Sequence, residues 1–214
     1  MNRSIYKFND VADRYAMKPI AVTYTKIVPQ FMRTGVRNFF SNIDDLFVVI
    51  NDVLQLKGTH AAQDSVRLVA NTVFGGLGFV DVASMRGIPK RSEDFGQTLG
   101  YWGVPSGPYL VLPFLGPSSM RDGPARLVDA YYDPVWWIDN VRLRNSIVGV
   151  GLVNLRANLL PAEQLLDEAS MDRYSFLRDA YLSRRESLVY DGDPPRSGND
   201  NLDDPGEGSA DDPQ

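Results

Sequence analysis

"IDDLFVVINDVLQLKG", residues 43–58, decides how this chain is built. Five apolar residues follow one another from Leu46 to Ile50, so a helix here is apolar on every side through its middle and belongs at the centre of a core or in lipid. From Asp44 to Leu56 it would be ~20 Å long against a hydrocarbon layer of ~30 Å, so it could enter one leaflet without crossing. Asn42 is placed to cap it and Gly58 to close it. Asp44 and Asp45 invite a paired-carboxylate reading, yet acids in a first turn are favoured by the helix dipole in any case.

The same signals extend in both directions. Ile5, Phe8, Ala12 and Tyr15 share one face of an opening helix that should end before Pro19, and Pro29 suits the first turn of a helix running to Asn42. Thr59 caps "HAAQDSVRLVANTVF", which "GGLG" stops. Asp122 and Pro124 start "PARLVDAYYD"; the stretch from Asp133 to Leu160 makes one bent helix or two, Pro161 opens another, and Asp172–Val189 is the last. No run reaches the ~18 apolar residues of a membrane span, and nothing alternates with period two beyond a few residues. The expected fold is therefore all-α: a single domain of short, partly amphipathic helices over residues 1–190, followed by a disordered acidic tail, 191–214.

Charge supports that division. The tail holds eight acids and one Arg, which leaves the body nearly neutral with 21 Lys and Arg against 19 Asp and Glu. A body so balanced has no nucleic-acid footprint. The tail cannot repay its ordering entropy and reads as a solubilising spacer or as bait for a basic partner. Trp136 and Trp137 lie between Asp133 and Asp139, as an aromatic belt at a bilayer surface requires, although two large core residues would look the same. Trp102 joins them as a membrane-interface candidate.

Catalytic chemistry is missing. "GVPSG" places Ser106 one position out of register for a nucleophile elbow, and His60, the only histidine, falls at a helix start. "GGLGFVD" follows a helix instead of a strand, which suits a turn better than a dinucleotide loop. Without cysteine, and with no calcium-loop spacing, neither a metal site nor a cofactor is expected. "GYWGVPSGPYLVLPFLGPSSMRDG", Gly100 to Gly123, is too oily for a solvated loop and too rich in Gly and Pro for a long helix. It reads as a hinged hairpin against helices and lipid, whose backbone groups must find protein or water.

Several stretches taken together resemble the MlaA (VacJ) family of outer-membrane lipoproteins: "NRSIYKFND", "VPQFMRTGVRNFFSNI", "NTVFGGLGFVDVAS", "EDFGQTLGYWGVPSGPYLVLPFLGPSSMRDG" and "DRYSFLRDAYLSRRE". They cover nearly all of Asn2 to Glu186 in family order, and the Gly-Pro block is the most specific. The resemblance implies a non-enzymatic helical ring in the periplasmic-side leaflet of the outer membrane, with a central amphipathic channel. Phospholipid misplaced in the outer leaflet would leave through it to a periplasmic carrier, beside a trimeric porin. It also implies a lipidated anchor cysteine, which this chain lacks, so the anchor is expected upstream.

On that resemblance Tyr109, Leu112, Pro113 and Phe114 are candidates for the apolar side of a channel wall or gate, and Arg121 and Asp122 for its wet end. The alternative for Arg121 and Asp122 is a helix cap with its counter-ion. Asn38, Phe39 and Asn42 are candidates for a gating turn between two inserted helices, which deletion of Asn38 and Phe39 should retilt. Two other functions compete: a membrane-associated scaffold without a lipid passage, and a lipid-processing enzyme using Asp or Ser106.

Overall fold

The protein is described by a computed structural model covering residues 1–169 and 172–195, so most of the expected tail lies outside the described residues. The helices are α1 (Asn2–Ala12), α2 (Lys18–Ile27), α3 (Gln30–Leu54), α4 (Gly58–Val73), α5 (Val82–Met85), α6 (Phe95–Tyr101), α7 (Asp122–Tyr132), α8 (Val141–Ala169) and α9 (Arg173–Val189). A π turn (Asp13–Met17) joins α1 to α2, and a 3-10 turn (Pro134–Trp137) follows α7. The all-α expectation holds, with one small addition: β1 (Tyr109–Leu112) and β2 (Gly116–Ser119) pair antiparallel inside the Gly-Pro block, Tyr109 opposite Ser119. Asp172, expected as the first residue of the last helix, instead caps α9 by accepting from the backbone N–H groups of Tyr174 and Ser175.

Three expected breaks are absent. Pro19 does not end the first helix; the π turn directly before it widens the spiral where the proline ring would strike the Tyr15 carbonyl. Pro161 lies inside α8 instead of opening a new helix. The two irregular places are clamped together, because Arg156 of α8 forks onto Asp13 of the π turn (2.6 and 2.7 Å) and also reaches Glu163, beyond Pro161 (2.5 Å).

The third correction is at Asn38, Phe39 and Asn42, where no turn exists: α3 runs unbroken for 25 residues, ~38 Å, through all of them. Asn42 is buried, and its Nδ2 donates to Thr72 Oγ1 (2.9 Å) instead of its side chain capping a new helix. Asn38 donates to the Phe79 carbonyl (3.3 Å), and Phe39 packs on the Phe79 ring at 5.5 Å between centroids. Spaced three and four apart, these residues form one face that receives the "GGLGF" turn ending α4.

Gly78 in that turn has φ +90°, and a Cβ there would fall 2.4 Å from Asn42 Cβ. Gly76 is also left-handed at φ +61° but would meet nothing within 4 Å. Gly78→Ala should therefore combine strain with overlap and lower the melting temperature by about 5 °C or more, with Gly76→Ala falling less. Circular-dichroism melting in detergent checks this; equal losses at the two sites would remove Asn42 docking as the cause.

The polarity of the molecule is inverted. Among the described residues, eight apolar side chains are buried, all alanine or valine, against seventeen polar or charged ones. Every Leu, Ile, Phe, Met and Trp described is at least partly exposed, with Ile27, Phe31, Phe74 and Phe114 each more than 70% exposed. A chain folded for water does the reverse, and exposed apolar residues in this number mark contact with lipid or protein. No described helix is long and apolar enough to cross a membrane.

Candidate functional site

Two cavities of contrasting character share Phe47 of α3 and Asp129 of α7 in their walls. One, of about 360 Å³, is charged, with Asp44, Lys90, Arg91, Glu93, Asp94, Arg126 and Asp133 around it. The other, of about 320 Å³, is apolar, walled by Leu46, Ile50, Leu54, Phe95, Val128, Tyr132 and Trp137. Each is the size of a small-molecule site. Helical periodicity produces the contrast. On α3, Asp44, Phe47 and Val48 share one face while Leu46, Ile50 and Leu54 share the next; on α7, Arg126, Asp129 and Ala130 turn one way, with Asp133 just past its end, and Val128 and Tyr132 the other.

The charged chamber is unevenly compensated. Lys90 is held by Asp45 and by the Ser41 carbonyl (2.9 Å), and Arg91 by Asp64 (3.0 Å) and Gln63 (2.5 Å). Glu93 receives Lys57 (3.3 Å) and Asp94 receives Arg185 (2.5 Å). Asp44, Asp129 and Asp133 take part in none of the ion pairs among the described residues. Burial pushes the Asp129 carboxyl up to about 6, with Asp94 adding to the effect and the Phe95 N–H (3.3 Å) opposing it. Burial also raises Asp44, with Lys90 opposing and Asp45 and Asp133 adding to the rise.

Behind this chamber lies a buried ionic hub. Arg67 of α4, 1% exposed, donates to Asp45 (3.2 Å), Ser84 (3.0 Å), the Ile88 carbonyl (3.1 Å) and Asp81 (2.7 Å). It thereby ties α3, α4 and α5 to the 86–94 segment that carries Lys90 and Arg91. Burial would raise Asp81, but Ser84, Arg67 and Asn71 together hold its carboxyl down at about 2.

Trp137, expected at a membrane interface, walls the apolar chamber, and the residues expected at a channel wall or gate stand apart from both chambers. Tyr109 and Leu112 are on β1, and Phe114 is at the hairpin tip with φ +62°, packed on Phe8 at 5.2 Å; neither these nor Pro113 line either chamber. The hairpin backbone does find protein. Asn2 donates to the Tyr109 carbonyl (2.8 Å) and accepts from Val111 N–H (3.3 Å), and Asn9 does the same for Leu112 (2.9 Å) and Phe114 (2.8 Å).

Arg121 and Asp122, expected at a wet end, are buried. Asp122 opens α7 and accepts from Arg121 (2.8 Å), Tyr181 (2.7 Å) and Arg185 (3.1 Å); burial works against ionisation, but these partners hold it at about 2. Of the helix-cap-and-counter-ion alternative, the counter-ion contact is present and the cap is not: no side-chain bond caps α7, and the Asp122 N–H itself donates to Ser119 Oγ (3.1 Å), while Arg121 also faces a separate cavity of about 340 Å³. Trp102 donates to the Leu54 carbonyl (3.0 Å) at the end of α3, and Arg144 sits 5.4 Å over the Trp136 ring. Ser106 Oγ is buried and has no hydrogen-bond partner among the described residues, and no described cluster could cage a metal ion. Asp44 was noticed only as a neighbour of Asp45, and Asp129 and Asp133 were not read as site residues, because their signal is three-dimensional: residues 44, 129 and 133 come to one cavity only in the fold.

A family model described as MlaA lipoprotein matches residues 1–188. The Escherichia coli intermembrane phospholipid transport system lipoprotein MlaA is 36% identical over 197 residues, spanning 90% of this chain and 77% of the relative. The Haemophilus influenzae protein of the same name is 34% identical over 196 residues, spanning 89% and 78%. A solved chain described as "Structural basis for maintenance of bacterial outer membrane lipid asymmetry" superposes with a TM-score of 0.75 at 31% identity, covering 88% of this chain and 96% of that one.

Proposed function

The chain belongs to the MlaA lipoprotein family, and on that premise we propose that it is the outer-membrane component of a phospholipid-transport system. It draws mislocalised phospholipid from the outer leaflet through an amphipathic passage and delivers it to a periplasmic carrier, beside a trimeric porin. It sits in the periplasmic-side leaflet, and it catalyses no reaction.

The observation that carries this reading is the pair of chambers sharing Phe47 and Asp129. A phospholipid needs a charged space for its headgroup and an apolar one for its chains, side by side, and the chamber walls supply both. The inverted polarity supports the location: the apolar exterior is satisfied by acyl chains, while buried polar groups satisfy one another. The fold has no engine, so direction comes from the carrier's affinity and its energy source.

A scaffold without a passage also has support, in an apolar groove of about 540 Å³ between α2 and α8 walled by Pro19, Ile20, Ile27, Val150 and Val153. Ala130, on the wall of the charged chamber, separates the two readings. Ala130→Trp fills that chamber and leaves the α2–α8 groove untouched. In cells lacking the native protein, the variant should reach the membrane at normal levels yet fail to clear phospholipid from the outer leaflet, measured by its accessibility to an added phospholipase. Full clearance with the chamber filled would sink the passage and favour the scaffold.

A further inference from the structure

We infer that the charged chamber recognises the ammonium of a zwitterionic phospholipid headgroup, of the ethanolamine type, in preference to an uncharged or purely anionic one. The inference rests on the passage proposed above and adds the chemistry of its cargo.

The argument starts from which charges are already spent. Five acids and three bases line the chamber. Lys90 and Arg91 are consumed by Asp45 and Asp64, neither of which lines it. Glu93 and Asp94 are matched by Lys57 and Arg185 from outside. What remains facing the space is Asp44, Asp129 and Asp133, each without an ion pair, together with Arg126. Arg126 gives a hydrogen bond to the Leu115 carbonyl (3.3 Å) and otherwise forms no ion pair among the described residues. Three carboxylates outside any ion pair among the described residues, of which Asp129 accepts the Phe95 N–H (3.3 Å) and Asp133 the Val135 N–H (2.8 Å), together with one guanidinium, match a headgroup that carries an ammonium and a phosphate.

Other cargoes fit less well. The carboxylates do not converge closely enough to cage a metal ion, so a bare cation has no seat among the described residues. A headgroup with only a phosphate would meet three unpaired acids and one Arg, a net repulsion in a partly enclosed space. An ammonium, by contrast, relieves the repulsion that Asp133 exerts on Asp44 and donates charge-assisted bonds to the carboxylates. The apolar chamber shares Phe47 and Asp129 with the charged one and places the acyl chains on the side away from Asp44 and Asp133.

The test uses the full-length protein in detergent, incubated with vesicles of equimolar phosphatidylethanolamine, phosphatidylglycerol and N-acetylated phosphatidylethanolamine. Retained lipids are quantified by mass spectrometry. Phosphatidylethanolamine should be enriched about fivefold over each competitor, the scale of one moderately shielded ion pair. Asp44→Asn with Asp129→Asn, which keep shape and remove charge, should bring the ratios to parity.

Equal retention of phosphatidylethanolamine and its N-acetylated form by the wild type would overturn the inference while leaving the passage intact. An enrichment that persists in a double variant with native circular dichroism would also overturn it. If no phospholipid is retained at all, the passage itself fails and this inference with it. Should the double variant not fold, the wild-type comparison with the N-acetylated lipid decides alone.

Discussion

Arg67→Met should lower the melting temperature by about 10 °C, the largest loss expected of any single substitution in α4. Methionine is close to arginine in length and leaves no large void, so the loss reports charge and hydrogen bonding instead of packing. Arg67 is 1% exposed and satisfies Asp45, also 1% exposed, together with Asp81. Removing one member of such a buried network strands the others and costs about 3–5 kcal/mol. Asp45 retains Lys90, but the 86–94 segment loses its bond from Arg67 to the Ile88 carbonyl, so the chamber wall should loosen along with the fold. Arg67→Lys should recover only part of the loss, because a single ammonium cannot reproduce the four-point fork. Thermal melting in detergent provides the measurement, and a drop under about 2 °C for Arg67→Met would show that the network stabilises little.

Asp52 produces the second large effect, with the opposite sign. It is fully buried on α3, faces Asp64 and Glu93, and neither of its oxygens nor Asp64 Oδ1 has another donor. Burial first, and then the charges of Asp64 and Glu93, push its carboxyl up to about 7, so the folded protein keeps a proton on Asp52 to share with Asp64. In the unfolded chain the same carboxyl titrates at the ordinary value of 3.8. Between these values the folded state binds more protons than the unfolded one, so stability falls as pH rises from about 4 to about 7 and levels off above.

Asp52→Asn replaces the shared proton with an amide N–H that does not titrate. The variant should gain about 1–3 kcal/mol at pH 8 relative to wild type, or about 2–4 °C per kcal/mol, and gain little or nothing at pH 4. The diagnostic quantity is the difference in melting temperature between variant and wild type at the two pH values. A constant difference would mean that Asp52 is not the group being titrated.

The helical class, the stop at "GGLG", the start of α7 at Asp122 and the last helix from about Asp172 to Val189 were legible in the sequence, because each depends on residues within a turn or two of one another. The continuity of α3 was not. Asn42 looks like a cap when only its neighbours are known, and it is the remote Thr72 that takes its side chain and leaves the helix unbroken. Asp44 and Asp45 show the same limit at the site. Adjacent and chemically identical, they point about 100° apart, one into the chamber and the other into the Arg67 hub. A dipole argument treats them alike, and only packing separates them. The greasy run from Leu46 to Ile50 was legible as a segment for a core or for lipid, but only Val48 of it is buried, and its division into a face on the charged space and a face on the apolar one appears only when α7 is set across the two cavities from it.

The two asparagines of α1 illustrate a coincidence of lengths. Seven residues of helix advance ~10.5 Å, and three residues of strand advance ~10 Å. Asn2 and Asn9, seven apart, therefore meet Tyr109 and Leu112, three apart, in register. Each amide bridges a carbonyl and the N–H two residues on, as a peptide group of a neighbouring strand would. A helix so spaced impersonates the missing third strand and seals the edge of the hairpin against pairing with another chain. The constraint on this part of the sequence is the interval between the asparagines more than the residues in it: one inserted residue would swing Asn2 by about 100° and reopen the edge.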